Sequence, residues 1–167
     1  MEKSDNISAT AADTTSTSSP LRVLIADDYK DARRNTRLML ALVPGVKVVA
    51  MARNGREAIE LAVEHKPHLA IMDINMPEVD GITAIKSMRK EHPDLMVIVI
   101  SAERDSKTLQ EAMSVGAREY LIKPYASQEL IGALRRIGRD VWAARQRAAE
   151  ASKLRIERNQ YLKQLAR

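Results

Sequence analysis

The sequence predicts an α/β protein, a doubly wound parallel sheet of five strands with helices on both faces. Three observations predict it. Short β-rich runs alternate five times with segments of helical spacing. The central runs are apolar on both sides. Gly, Pro and Asn gather at the junctions. Strict alternation of strand and helix implies right-handed crossovers, and a run such as Val97-Ile98-Val99-Ile100 suits a strand buried on both faces.

In chain order, clear strands are expected at Leu21–Ala26, Leu69–Met72 and Leu95–Ile100, with weaker ones at Val46–Met51 and Glu119–Ile122. Helices are expected at Lys30–Leu42, Gly55–His65, Gly81–Glu91, Ser106–Val115 and from Ser127 onward. Pro44-Gly45, Asn54-Gly55, Lys66-Pro67 and His92-Pro93 punctuate the joins. Residues 1–19, rich in Ser, Thr, Asp and Ala, lack apolar periodicity and are expected to form a disordered leader. Residues 20–138 then make the domain, and residues 139–167 a basic helical tail.

Composition narrows the function. Hydrophobic residues make up 45% of the chain, enough for a core, and the lack of Phe makes that core aliphatic and Met-rich. Without Cys there is no disulfide scaffold, thiol nucleophile or thiolate metal site. The apolar runs are too short to span a bilayer and the N-terminus lacks a secretory stretch, so a cytoplasmic protein without membrane contact is expected. The net charge of +5 is unevenly placed: residues 132–167 hold ten basic side chains against three acidic, while residues 21–131 are neutral. The basic character belongs to the tail, which suits an acidic partner or a polyanion.

In sheets of this kind the working site lies outside the carboxyl ends of the strands, where the strand order reverses. The first strand leads there into Asp27-Asp28, the third into Asp73, the fourth into Ser101-Ala102 and the fifth into Lys123-Pro124. Taken singly each is ordinary, since an Asp after a strand usually caps a turn or helix. Together they place three carboxylates, a hydroxyl and an amine on one rim. Clustered carboxylates repel unless a hard cation such as Mg²⁺ neutralises them. A central carboxylate can then attack phosphorus, with the amine and hydroxyl balancing the charge of the transferring group.

These residues match a known series. Asp27-Asp28, Met72-Asp73-Ile74-Asn75-Met76-Pro77 leading to Asp80-Gly81, Ser101-Ala102, and Lys123-Pro124-Tyr125 together resemble the response-regulator receiver domain of two-component signalling, chemotaxis regulators in particular. The resemblance covers roughly residues 20–137 and implies a flavodoxin-like fold with strand order 2-1-3-4-5. It implies that Asp73 is the phospho-acceptor. Asp27, Asp28, Asp73 and the backbone carbonyl of Asn75 would hold Mg²⁺, Ser101 and Lys123 would engage the phosphoryl group, and Ser101 and Tyr120 would switch. Pro124 falls at the family's cis-proline position. The side chains of Asn75 and Glu103 would flank the attacking water and set the lifetime of the aspartyl phosphate, here a short one. Glu78 stands where Gly is frequent and Tyr125 where Phe is usual, and neither is expected to touch the chemistry.

The resemblance further implies a phosphorylation switch that catalyses its own phosphorylation and dephosphorylation, not an enzyme with a diffusible product. A histidine kinase or phosphotransfer protein would supply the phosphoryl group. The face of helix 4, strand 5 and helix 5 would then control self-association or a downstream protein partner. The alternative is a transcription regulator acting through the basic tail or through a DNA- or RNA-binding output domain outside this chain. In the tail, apolar or small residues recur at Leu134, Ile137, Val141, Ala144, Ala148 and Ala151, with Arg155 and Arg158 before Leu162 and Leu165. That spacing reads as a weak coiled-coil seam, a docking helix, or a solvated helix that frays beyond Trp142. His65, His68 and His92 lack ligand-like spacing, and no metal role is expected for them.

Overall fold

The computed structural model describes residues 19–165. The expected leader therefore lies, except for Ser19, outside the described residues. Among the described residues, five strands and five helices alternate: β1 (Leu21–Ala26), α1 (Lys30–Ala41), β2 (Val46–Ala52), α2 (Gly55–His65), β3 (Leu69–Asp73), α3 (Gly81–Glu91), β4 (Met96–Ser101), α4 (Ser106–Ser114), β5 (Glu119–Ile122) and α5 (Ser127–Leu165). The strands form one parallel sheet in the order β2-β1-β3-β4-β5. The chain leaves β1 toward one edge and returns to β3 on the other side, so the strand order reverses between β1 and β3.

Period-2 alternation sorts the apolar side chains of the central strands into two layers. Leu24, Ala26, Ala70, Met72, Val97 and Val99 pack with α2, α3 and α4. Val23, Ile25, Leu69, Ile71, Ile98 and Ile100 pack with α1 and α5 through Leu40, Leu130, Leu134 and Ile137. At roughly 1.5–3 kcal/mol for each large aliphatic side chain fully buried, these two layers are what hold the sheet. The edge strands β2 and β5 are only half-covered, which is why their sequence signal was the weaker.

Most boundaries fall within a residue of the expected ones. Strand β4 starts at Met96 because the Leu95 amide donates instead to the His92 carbonyl in the preceding turn. Asn54, Asp80 and Asp105 cap the N-termini of α2, α3 and α4, their side chains accepting from the backbone N–H three residues on. Helix α2 stops at Lys66, which adopts φ 46° and donates its N–H to Ala62 O. Helix α5 continues without a break through Gly138 to Leu165, 39 residues in all. Val141 is its last buried residue among those described; the side chains of Trp142, Ala144 and Ala148 lie outside the description. The 24 residues after Val141 extend the helix by about 36 Å, with Leu154, Tyr161, Leu162 and Leu165 exposed.

Candidate phosphoryl-acceptor site

The C-terminal ends of β1, β3, β4 and β5 bring Asp27, Asp28, Asp73, Ser101 and Lys123 to one rim. Pairing of β3 with β4 sets Asp73 opposite Ile100, and pairing of β4 with β5 sets Ser101 opposite Ile122. Asp27 and Asp73 are buried, each 7% exposed, while Asp28 faces solvent. Carboxylate oxygens of Asp27, Asp28 and Asp73 lie within 4.8 Å of one another. Ser101 is fully buried, and its Oγ accepts the Glu103 N–H at 3.1 Å.

Lys123 bridges the two buried acids. Its Nζ lies 2.7 Å from Asp27 Oδ2 and 3.4 Å from Asp73 Oδ2. Burial pushes the Asp73 carboxyl up to about 6; Lys123 pulls it down, and the negative charges of Asp27 and Asp28 push it up further. For Lys123 burial works against the charged form, but the hydrogen bond it donates to Asp27 and the charge of Asp73 hold the ammonium above its usual range. Lys123 offsets only part of the charge of the three acids, and a hard divalent ion bound by oxygens would offset more of it. The donor set fits Mg²⁺.

The loop after β3 closes over this rim. Asn75 Nδ2 donates to Glu103 Oε1 at 2.9 Å, which links the loops after β3 and β4. The loop is anchored from below, because the Gly81 N–H donates to Ile74 O at 2.8 Å and the Gly55 N–H to Val79 O at 3.0 Å. A Cβ on Gly81 would overlap the Asp73 carbonyl, so only glycine lets the start of α3 approach the acceptor's backbone. Glu78, in the same loop, adopts φ 65°, the left-handed conformation that makes glycine the easier residue there. Its carboxylate lies 3.4 Å from Arg56 Nε.

All the sequence-derived candidates reach this end of the sheet. Tyr120, half-buried, donates its hydroxyl to Glu103 O at 2.9 Å, on the side of β4 where the Ser101 hydroxyl sits. The Lys123–Pro124 peptide is cis. Tyr125, where Phe is usual, stands beside the site. Its hydroxyl lies 3.1 Å from Thr36 Oγ1, and both residues line a cavity of about 280 Å³ that Asp73 and Lys123 also line. Thr36 escaped the sequence reading, although a hydroxyl on the inward face of α1 was a signal for it. Among the histidines, His68 Nδ1 accepts the Arg22 N–H at 3.0 Å, a structural role at the far end of β1.

Comparison with known proteins agrees with this geometry. The family profile of the response regulator receiver domain matches residues 23–135. The chemotaxis protein CheY of Thermotoga maritima is 37% identical over 118 residues, covering 71% of this chain and 98% of that protein. A protein-glutamate methylesterase/protein-glutamine glutaminase of Carboxydothermus hydrogenoformans is 43% identical over 107 residues, 64% of this chain but 30% of that enzyme. The chain likewise spans about half the length of several transcriptional regulatory relatives. The solved response regulator domain of Thermotoga maritima CheB superposes with a TM-score of 0.63 at 32% identity, covering 73% of this chain and 96% of that one.

Proposed function

The chain belongs to the response-regulator receiver family, and on that premise we propose that it is a phosphorylation switch whose acceptor is Asp73. The observation that carries the reading is the buried Asp73 carboxylate, flanked by two further carboxylates and reached by the Lys123 ammonium. The donor is a histidine kinase or a phosphotransfer protein. An Asp73 carboxylate oxygen forms the new O–P bond as the donor's P–N bond breaks; the imidazole nitrogen keeps the electron pair and takes up a proton. Phosphoryl transfer of this kind demands positioning and charge compensation more than covalent participation.

Asp27, Asp28, Asp73 and the Asn75 carbonyl are the groups proposed to hold Mg²⁺, which would neutralise the acids and gather the phosphoryl oxygens. Lys123 opposes the remaining charge from the other side, and the Ser101 hydroxyl exchanges its bond to Glu103 N–H for one to a phosphoryl oxygen. That exchange loosens the turn whose carbonyl holds Tyr120, which carries the signal to α4, β5 and the start of α5. Leu109, Met113 and Ile122 are exposed on that side and form the face that controls self-association or binds a protein partner. Hydrolysis returns Asp73 to the carboxylate as water attacks phosphorus and inorganic phosphate leaves. Asn75 and Glu103 flank the water's approach and set the rate.

Calorimetry with beryllofluoride and Mg²⁺ tests the reading on the full chain. Saturable binding is expected for the parent and none for Asp73→Ala. Equal binding by the two would remove Asp73 from the role.

A further inference from the structure

Lys123 does its work only if its ammonium is held at the right height above the sheet, and the backbone around it has few obvious restraints. The Lys123 N–H makes the last bond of β5, to Ser101 O at 2.8 Å. Pro124 has no N–H to give. The Ala126 N–H donates to Glu129 Oε2 at 3.2 Å, a contact inside the start of α5 itself. Between these two points the chain is tied to another layer by a pair of hydroxyls, Tyr125 Oη and Thr36 Oγ1, 3.1 Å apart and 89 residues apart in sequence.

Thr36 is 5% exposed and sits on the inward face of α1, the helix that follows Asp27 and Asp28. Tyr125 packs against the Leu40 and Ile100 layer of the core. The cavity of about 280 Å³ that the two share opens onto Asp27, Asp73 and Lys123. A Phe at 125 would fill the same apolar space but leave the Thr36 hydroxyl without its partner.

We propose that the Thr36–Tyr125 hydrogen bond is a positioning contact that holds the Lys123–Pro124–Tyr125 turn against α1 and thereby sets the Lys123 ammonium for the phosphoryl group. The inference rests on the phosphoryl-transfer reading of Asp73 and assigns that reaction a residue pair which touches neither Mg²⁺ nor phosphorus. Both hydroxyls act through Lys123, so the contact governs transfer and not metal capture. Support of this kind around a reacting group is what keeps it within the tolerance that catalysis needs.

The test compares Tyr125→Phe, Thr36→Val, the double variant and Thr36→Ser in the full chain, with acetyl phosphate as the donor. Calorimetry measures Mg²⁺ affinity, and thermal unfolding checks that each variant is folded at the assay temperature. Tyr125→Phe and Thr36→Val are each expected to slow phosphorylation about fivefold, the worth of one neutral hydrogen bond. Mg²⁺ affinity should stay within about twofold of the parent, because the metal ligands are untouched. The double variant should lose no more than either single one, and Thr36→Ser should keep the parent rate. Phosphorylation at the parent rate in both single variants would overturn the proposal. Additive losses, or losses matched by weaker Mg²⁺ binding, would overturn it as well. A parent chain that takes up no phosphoryl group would instead overturn the reading of Asp73 itself.

Discussion

At the scale of single residues, the site is assembled against the preference of its parts. The fold holds Asp73 where burial raises its carboxyl to about 6, above the 3.8 of an unperturbed aspartate. A raised acid favours the protonated form, so this contribution to stability is complete below 3.8 and is lost as pH rises through about 6. At pH 7.5 without divalent cations, Asp73→Asn is therefore expected to stabilise the fold by about 1–2 kcal/mol, discounted for solvent at the rim. Saturating Mg²⁺ should cancel that advantage; chemical denaturation with and without the metal checks both. Lys66 offers a simpler case, because its φ of 46° strains any residue with a Cβ. Lys66→Gly is expected to raise the unfolding free energy by about 0.5–1 kcal/mol, the αL strain less the added entropy of glycine.

The chemistry-bearing residues were legible because the carboxyl ends of parallel strands fix where they converge. The Thr36–Tyr125 pair was not, because a hydroxyl contact across 89 positions leaves no periodic trace. Glu78 was visible as a departure from the usual glycine, but its positive φ emerges only from the backbone path of the loop.

At the scale of elements, caps carry much of the specification. Asp80 accepts from the Thr83 N–H at 3.0 Å and from the Thr83 hydroxyl at 2.7 Å. Partial burial works against its charge, but these bonds prevail and hold its carboxyl below the usual range. A lowered acid contributes stability that is present above the ordinary carboxylate pKa and lost as pH falls below it. Asp80→Ala is expected to cost about 1 kcal/mol at neutral pH, with the difference from the parent shrinking as pH falls below about 4. Gly81→Ala should cost more, about 1–3 kcal/mol, since the added carbon meets the Asp73 backbone. The element order was readable from alternation and punctuation, and β1, β5, α2 and α3 fall at the expected residues. The one-residue differences elsewhere come from hydrogen bonds at strand and helix ends, such as Leu95 to His92, which periodicity does not encode.

At the scale of the molecule, a neutral domain carries a basic helix that outruns its core. The sequence left fraying beyond Trp142 open, whereas α5 is helical to Leu165. Its last described buried residue is Val141, so a chain ending at residue 143 is expected to keep its unfolding free energy within about 0.5 kcal/mol of the parent. A larger loss would show that the tail packs on the domain. The outward position of Leu154, Tyr161 and Leu165 follows from the length of the helix and not from its pattern, which is why a seam could be read in the sequence but its partner could not.

The most direct measurement is the intact mass of the full chain after incubation with acetyl phosphate and Mg²⁺, followed by peptide mapping. The expected result is a gain of one phosphoryl group, placed on Asp73 and absent from Asp73→Asn. An unchanged mass in the parent, or a gain that persists in Asp73→Asn, would contradict the assignment.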